Sequence, residues 1–128
     1  MVMEFIFVMI GGAIGSILRY LLGKILPLKF LIWSVFPLGT FGVNLLGSFL
    51  IGLFSCLIIQ KGLGNEWRVF VIVGILGGFT TFSSFSLDAF MMINQKEYFK
   101  AIFYILSTNI LGLLFLGIGW VLAKSFFH

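Results

Sequence analysis

Four apolar stretches, each long enough to cross a bilayer, constrain this chain more than any other feature. They run roughly from Phe5 to Leu22, Phe30 to Ile59, Val69 to Ile93 and Ala101 to Ala123, and a membrane helix needs about 20 such residues. Short polar breaks divide them: Lys24 to Lys29, Gln60 to Arg68 and Asn94 to Lys100. No break could hold a second domain, so residues 1–128 are expected to form one four-helix transmembrane unit. Hydrophobic residues make up 61% of the chain and charged residues 9%, with a mean hydropathy of +1.21. That is too little charge to cover a water-facing surface. The expected solvent is lipid.

The first stretch does not read as a cleavable signal. No basic segment precedes it, Arg19 lies inside it, and no small-residue cleavage site stands out. The single Cys56 rules out an internal disulfide, and the lone His128 is read as tail. A net charge of +4 comes from residues at helix ends rather than from an aromatic-basic stripe, so nucleic acid is not an expected partner. With four spans, Lys61, Arg68 and Lys124 share one side of the membrane, and Lys24, Lys29, Lys96 and Lys100 share the other. This near balance leaves orientation weakly specified. Two oppositely inserted copies could then pair as an antiparallel dimer without any internal repeat. Alternatively one charge, or Arg19, decides the orientation.

In the first span, Gly11, Gly15, Arg19 and Gly23 recur every four residues and share a face. The Gly11-x-x-x-Gly15 spacing permits close helix approach. Arg19 either snorkels to the nearby interface or places positive potential at the mouth of an anion pathway. In the second span, Pro37 suits a first helical turn. Thr40 and Asn44 follow on one face, with Gly47 close to it. A mid-span Asn with four hydrogen-bonding sites is either interhelical glue or a ligand contact.

The third span is abnormal. Gly74, Gly77 and Gly78 lead into Thr80, Thr81, Ser83, Ser84 and Ser86, with Phe82 and Phe85 on one face among the hydroxyls. Two adjacent glycines weaken a helix by roughly 1 kcal/mol each, and Ser and Thr compete for backbone partners. The pattern predicts a helix break near residues 77–81, against the alternative of a glycine-rich packing seam. Carbonyls freed by a break must be satisfied internally or by an ion. Phenyl rings carry a positive edge that can face an anion without trapping it. In the fourth span, Tyr104, Thr108 and Gly112 form a second stripe, with Ser107 and Asn109 beside Thr108. That stripe lines the same pathway or bonds to the second span.

Catalytic sets are missing from the sequence. No phosphate loop, zinc motif or Ser/His/Asp arrangement is present, and of the acids Glu4, Glu66, Asp88 and Glu97 only Asp88 falls deep in an apolar run. Enzymatic activity is not expected.

Three motifs occur in order: Gly11-Gly12-x-x-Gly15-x-x-x-Arg19-Tyr20, then Pro37-x-Gly39-Thr40-x-x-x-Asn44-x-x-Gly47, then the run from Gly77 to Ser86. Together they resemble the Fluc (CrcB) fluoride channels, and the third is the most specific. The resemblance implies an all-α, dual-topology homodimer of four-helix subunits in a bacterial plasma membrane, exporting fluoride passively through two antiparallel pores. It implies pore phenylalanines at Phe82 and Phe85, a pore amide at Asn44 and polar tracks through Thr40, Ser84, Tyr104 and Thr108. It also implies a structural, untransported Na⁺ held by the backbone carbonyls of Gly77 and Thr80 from both subunits. A one-residue shift in the fourth span would put Asn109 in place of Thr108. The family often has Glu where this chain has Asp88. The rival reading, a small dual-topology multidrug or guanidinium antiporter, matches in size only. Such transporters need an acid within the first span, where this chain has Arg19.

Overall fold

The computed structural model describes residues 1–25 and 36–126. Lys29, the approach to the second span from Phe30, and His128 lie outside the described residues. All regular structure among the described residues is helical. Helix α1 spans Val2–Ile25 and α2 spans Leu38–Lys61. Helix α3 covers residues 65–79: a turn at Asn65–Trp67, a π-helical stretch at Arg68–Leu76 and a final turn at Gly77–Phe79. Helix α4 spans Phe82–Asn94 and α5 spans Tyr98–Phe126. Taken with α3 and α4 as one stretch, Asn65–Asn94, the helices give four segments long and apolar enough to cross a membrane.

The helix ends follow local chemistry. Gly62 closes α2 in the left-handed region at φ 61°. There the Leu63 N–H reaches back to the Ile58 carbonyl at 3.0 Å and the Gly62 N–H to that of Ile59 at 3.2 Å, which satisfies carbonyls that the helix leaves open. Lys96 takes the corresponding position after α4 at φ 62°. It is held by the Glu97 N–H on the Met92 carbonyl at 2.8 Å. One turn on, Lys100 pairs with Glu97 at 2.9 Å.

Two helix pairs dominate the packing: α1 with α3, and α2 with α5. Both depend on backbone touching backbone. A Cβ on Gly11 would stand 2.6 Å from the Phe70 carbonyl oxygen, and one on Gly74 would stand 3.0 Å from the Gly11 Cα. A Cβ on Gly15 would collide with the Ile75 carbonyl, one on Gly52 with that of Leu116, and one on Gly119 with that of Phe49. Lipid supplies no hydrophobic drive between helices, so this close contact is the main source of their cohesion. A cluster of Phe36, Phe85, Ala89, Met92, Ala101 and Tyr104 ties α4 to α5 and to the start of α2. Within it the Phe36 and Tyr104 rings meet edge to face, 5.4 Å apart at 86°.

Candidate functional site

The α3–α4 junction organises the site. Gly77 and Gly78 are helical, and the residues off the helical path are the two that follow Phe79. Thr80 lies at φ −82°, ψ 158° and Thr81 at φ −148°, ψ 117°. Four of the backbone groups diverted here meet specific partners. The Thr81 N–H, which a continuous helix would aim at the Gly77 carbonyl, goes to Asn44 Oδ1 at 2.8 Å. The Thr81 carbonyl accepts from Asn44 Nδ2 at 2.9 Å. The Gly78 carbonyl accepts from Arg19 Nε at 3.2 Å. The Ser84 N–H, which would otherwise serve the Thr80 carbonyl, goes to Thr81 Oγ1 at 3.1 Å. Thr81 is thus the N-cap of α4. Thr80 Oγ1 donates back to the Leu76 carbonyl at 3.0 Å. The carbonyls of Gly77 and Thr80 therefore lose their helical donors, because both donors are committed elsewhere.

The same arrangement gives the glycines their purpose. A Cβ on Gly78 would stand 2.7 Å from the Gly12 carbonyl oxygen, and one on Gly47 would collide with the Thr80 methyl. Gly78 lets α3 press against α1 up to the junction, and Gly47 lets α2 approach the extended residues.

Two grooves flank the junction. The first, of about 400 Å³, lies between α2, α4 and α5. Asn44, Thr80, Thr81, Phe82, Phe85 and Thr108 line its junction end, and small and aliphatic residues such as Gly112 and Leu116 line the rest. The second, of about 450 Å³, lies between α1 and α2 and is bordered by Arg19, Lys24, Thr40, Thr81 and Ser84. Thr81 belongs to both walls.

Of the residues singled out by sequence, Asn44, Phe82, Phe85, Thr80 and Thr108 meet in the first groove, and Arg19, Thr40 and Ser84 in the second. Asn109 lines the first groove with Thr108, and its Nδ2 donates to the Ile105 carbonyl at 2.7 Å. Thr108 Oγ1, by contrast, is buried with no hydrogen-bond partner. Phe82 is 78% exposed and Phe85 8%, although their centroids are only 5.8 Å apart. Ser83 sits at the start of α4 with its hydroxyl 3.4 Å from Thr81 Oγ1. Tyr104 is fully buried behind Phe85, with centroids 5.1 Å apart. Its hydroxyl donates to Asp88 Oδ2 at 3.1 Å. Thr40 reaches the same carboxylate. Sequence reasoning placed Tyr104 and Thr40 on polar tracks without linking either to Asp88. The signal was available: Asp88 is the one acid deep in an apolar run, and such a group needs donors nearby. Thr81 was also underrated, since its role as cap and shared wall depends on where the helix stops.

The CrcB-like protein family (camphor resistance, CrcB) matches residues 6–120. Curated relatives align over almost the full chain. "Fluoride-specific ion channel FluC" of Helicobacter acinonychis is 52% identical over 122 residues, covering 95% of this chain and 96% of the relative. The protein of the same name from Helicobacter pylori strain Shi470 is 51% identical over 126 residues, 97% of each chain. That from Aquifex aeolicus is 43% identical over 119 residues, covering 92% and 94%. With its four membrane-spanning helices, its glycine-mediated crossings and this match from residue 6 to residue 120, the chain belongs to the CrcB-like family of multi-pass membrane proteins.

Proposed function

We propose that this protein is a fluoride-selective channel that lets fluoride leave the cytoplasm down its gradient. It works as an antiparallel homodimer of dual-topology subunits with two pores. The name carried by relatives at about half identity supports the activity. The observation that carries the reading is the junction groove. There an amide, a buried hydroxyl without a partner and two phenyl rings converge in an otherwise apolar span. Fluoride is small and holds its hydration shell tightly, so a dry path must replace water with many donors. Partial positive charges from N–H, O–H and ring edges attract the ion without holding it as a full cation would. The Asp88 carboxylate, which would repel an anion, is engaged by Tyr104 and Thr40.

The chain's own backbone fits a structural Na⁺. The Gly77 and Thr80 carbonyls have lost their helical donors to Asn44 and Thr81, and a hard cation prefers carbonyl oxygen. Bound between two subunits, Na⁺ would pin the paired junctions and would not be transported. The antiporter reading finds no support, because Glu4, the acid of α1, lies in the first turn and is bonded by Asn65 at 2.8 Å.

The test is fluoride release from liposomes holding the purified protein, read with an ion-selective electrode, with chloride as control. Rapid fluoride loss without chloride loss is expected. Phe82→Ile and Phe85→Ile should each lose flux while the dimer survives on a sizing column. Equal chloride release, or full flux in both variants, would overturn the proposal.

A further inference from the structure

A third cavity, of about 350 Å³, opens far from the junction, between the end of α2 and the start of α3. Phe54, Leu57, Ile58, Leu63, Trp67 and Val71 form it, with Lys61 at the rim. No polar atom contributes to its walls, so Lys61 lends only its methylene stem. Its ammonium stands beyond the rim, in the manner of a snorkelling lysine. Lys61 is the last residue of α2, which sets the rim at the membrane–water boundary. It has no ion-pair partner among the described residues. Of the acids at this end, Glu4 accepts from Asn65 and Glu66 lies close to Gly64, and neither forms an ion pair with Lys61. Trp67 is half exposed at the same level, a position that suits an indole at the headgroup boundary.

We infer that this cleft is a binding site for one anionic phospholipid, with an acyl chain between Phe54, Leu57, Trp67 and Val71 and the headgroup phosphate at Lys61. The pairing of a wholly hydrocarbon cleft with an uncompensated ammonium just outside it argues for this occupant. A water-soluble ligand would find no polar atom inside. An apolar face awaiting a second protein copy gives no reason for a free cation at its edge. A basic side chain near the surface contributes about 1 kcal/mol toward an anionic lipid, enough to favour it several-fold over a zwitterionic one. The inference rests on membrane insertion alone and not on fluoride transport.

Trp67 provides the readout. In a Trp33→Phe, Trp120→Phe background the fluorescence reports on the cleft alone. Dimeric protein is reconstituted in phosphatidylcholine with increasing fractions of either phosphatidylglycerol or phosphatidylcholine brominated on the acyl chains. Brominated phosphatidylglycerol should quench Trp67 at a several-fold lower mole fraction than brominated phosphatidylcholine. Lys61→Gln should abolish that difference while leaving dimer size and fluoride release unchanged. Equal quenching by both lipids would mean simple contact with bulk lipid and would overturn the site. Absence of quenching by either would mean the cleft is covered by a second copy, which overturns it equally.

Discussion

Asn44 and Arg19 have much of their meaning in the backbone atoms they hold. The Asn44 amide spans Thr81 with both ends, its oxygen on the N–H and its nitrogen on the carbonyl. Of its four hydrogen-bonding capacities this uses two, and one Nδ2 hydrogen is left beside the groove. Glue and ligand contact are therefore compatible at this position. Asn44→Asp keeps the acceptor for the Thr81 N–H but sets a carboxylate oxygen against the Thr81 carbonyl. The Thr81 carbonyl is part-buried, so leaving it unpaired costs less than the roughly 1–3 kcal/mol of a fully buried group. We expect a lower melting temperature in detergent together with loss of fluoride flux, and wild-type values of both would contradict the geometry. Arg19 is likewise committed through Nε to Gly78. Lysine has no planar fork to replace it. Arg19→Lys should reduce stability and flux together, whereas a purely electrostatic role would leave both near wild type because the charge is kept.

At the scale of elements, glycine placement governs how closely helices cross. Gly119 and Gly117 lie two residues apart on α5 and differ sharply in surroundings. A Cβ on Gly119 meets the Phe49 carbonyl, while one on Gly117 meets nothing within 4 Å. Backbone cannot yield as a flexible side chain can. Gly119→Ala should separate α2 from α5, lower the yield of folded protein and shift it toward aggregate on a sizing column. Gly117→Ala should behave as wild type. Equal behaviour of the two would show that the α2–α5 pair tolerates a wider crossing. The third span follows the same logic. Its glycines read in the sequence as weak helix formers, yet Gly77 and Gly78 are helical, and Gly78 owes its presence to the close approach of α1. Thr80 and Thr81 leave the helix because Asn44, Arg19 and the Thr81 hydroxyl supply the bonds that helix geometry would have made.

For the whole molecule, the charge map is the informative quantity. With four spans, three basic residues would stand on one side of the membrane and four on the other, a near balance that fits the proposed dual topology. If function needs both orientations, added charge should separate them. Two further lysines between Gln60 and Arg68 should fix one orientation, and two near Lys96 the other. Each variant alone should fail to protect fluoride-sensitive cells, and co-expression should restore protection. Protection by either one alone would count against the antiparallel dimer. The broad apolar surfaces of α1 and α5, including Ile17, Leu21, Leu113 and Val121, are faces for lipid and, in the proposed dimer, for a second copy.

Span number, membrane residence and the identity of the polar cluster were legible in the sequence, because lipid permits few backbone solutions and apolar run lengths report them directly. The motif residues were legible for a related reason: Gly, Asn, Arg and hydroxyls inside hydrocarbon are costly unless used. Which of them meet was a matter for the tertiary structure. It sorted Asn44, Phe82, Phe85 and Thr108 into one groove and Arg19, Thr40 and Ser84 into another, and gave Tyr104 to Asp88. Those choices depend on helix rotation and crossing distance, which are set by contacts between residues far apart in the chain and leave no periodic trace along it.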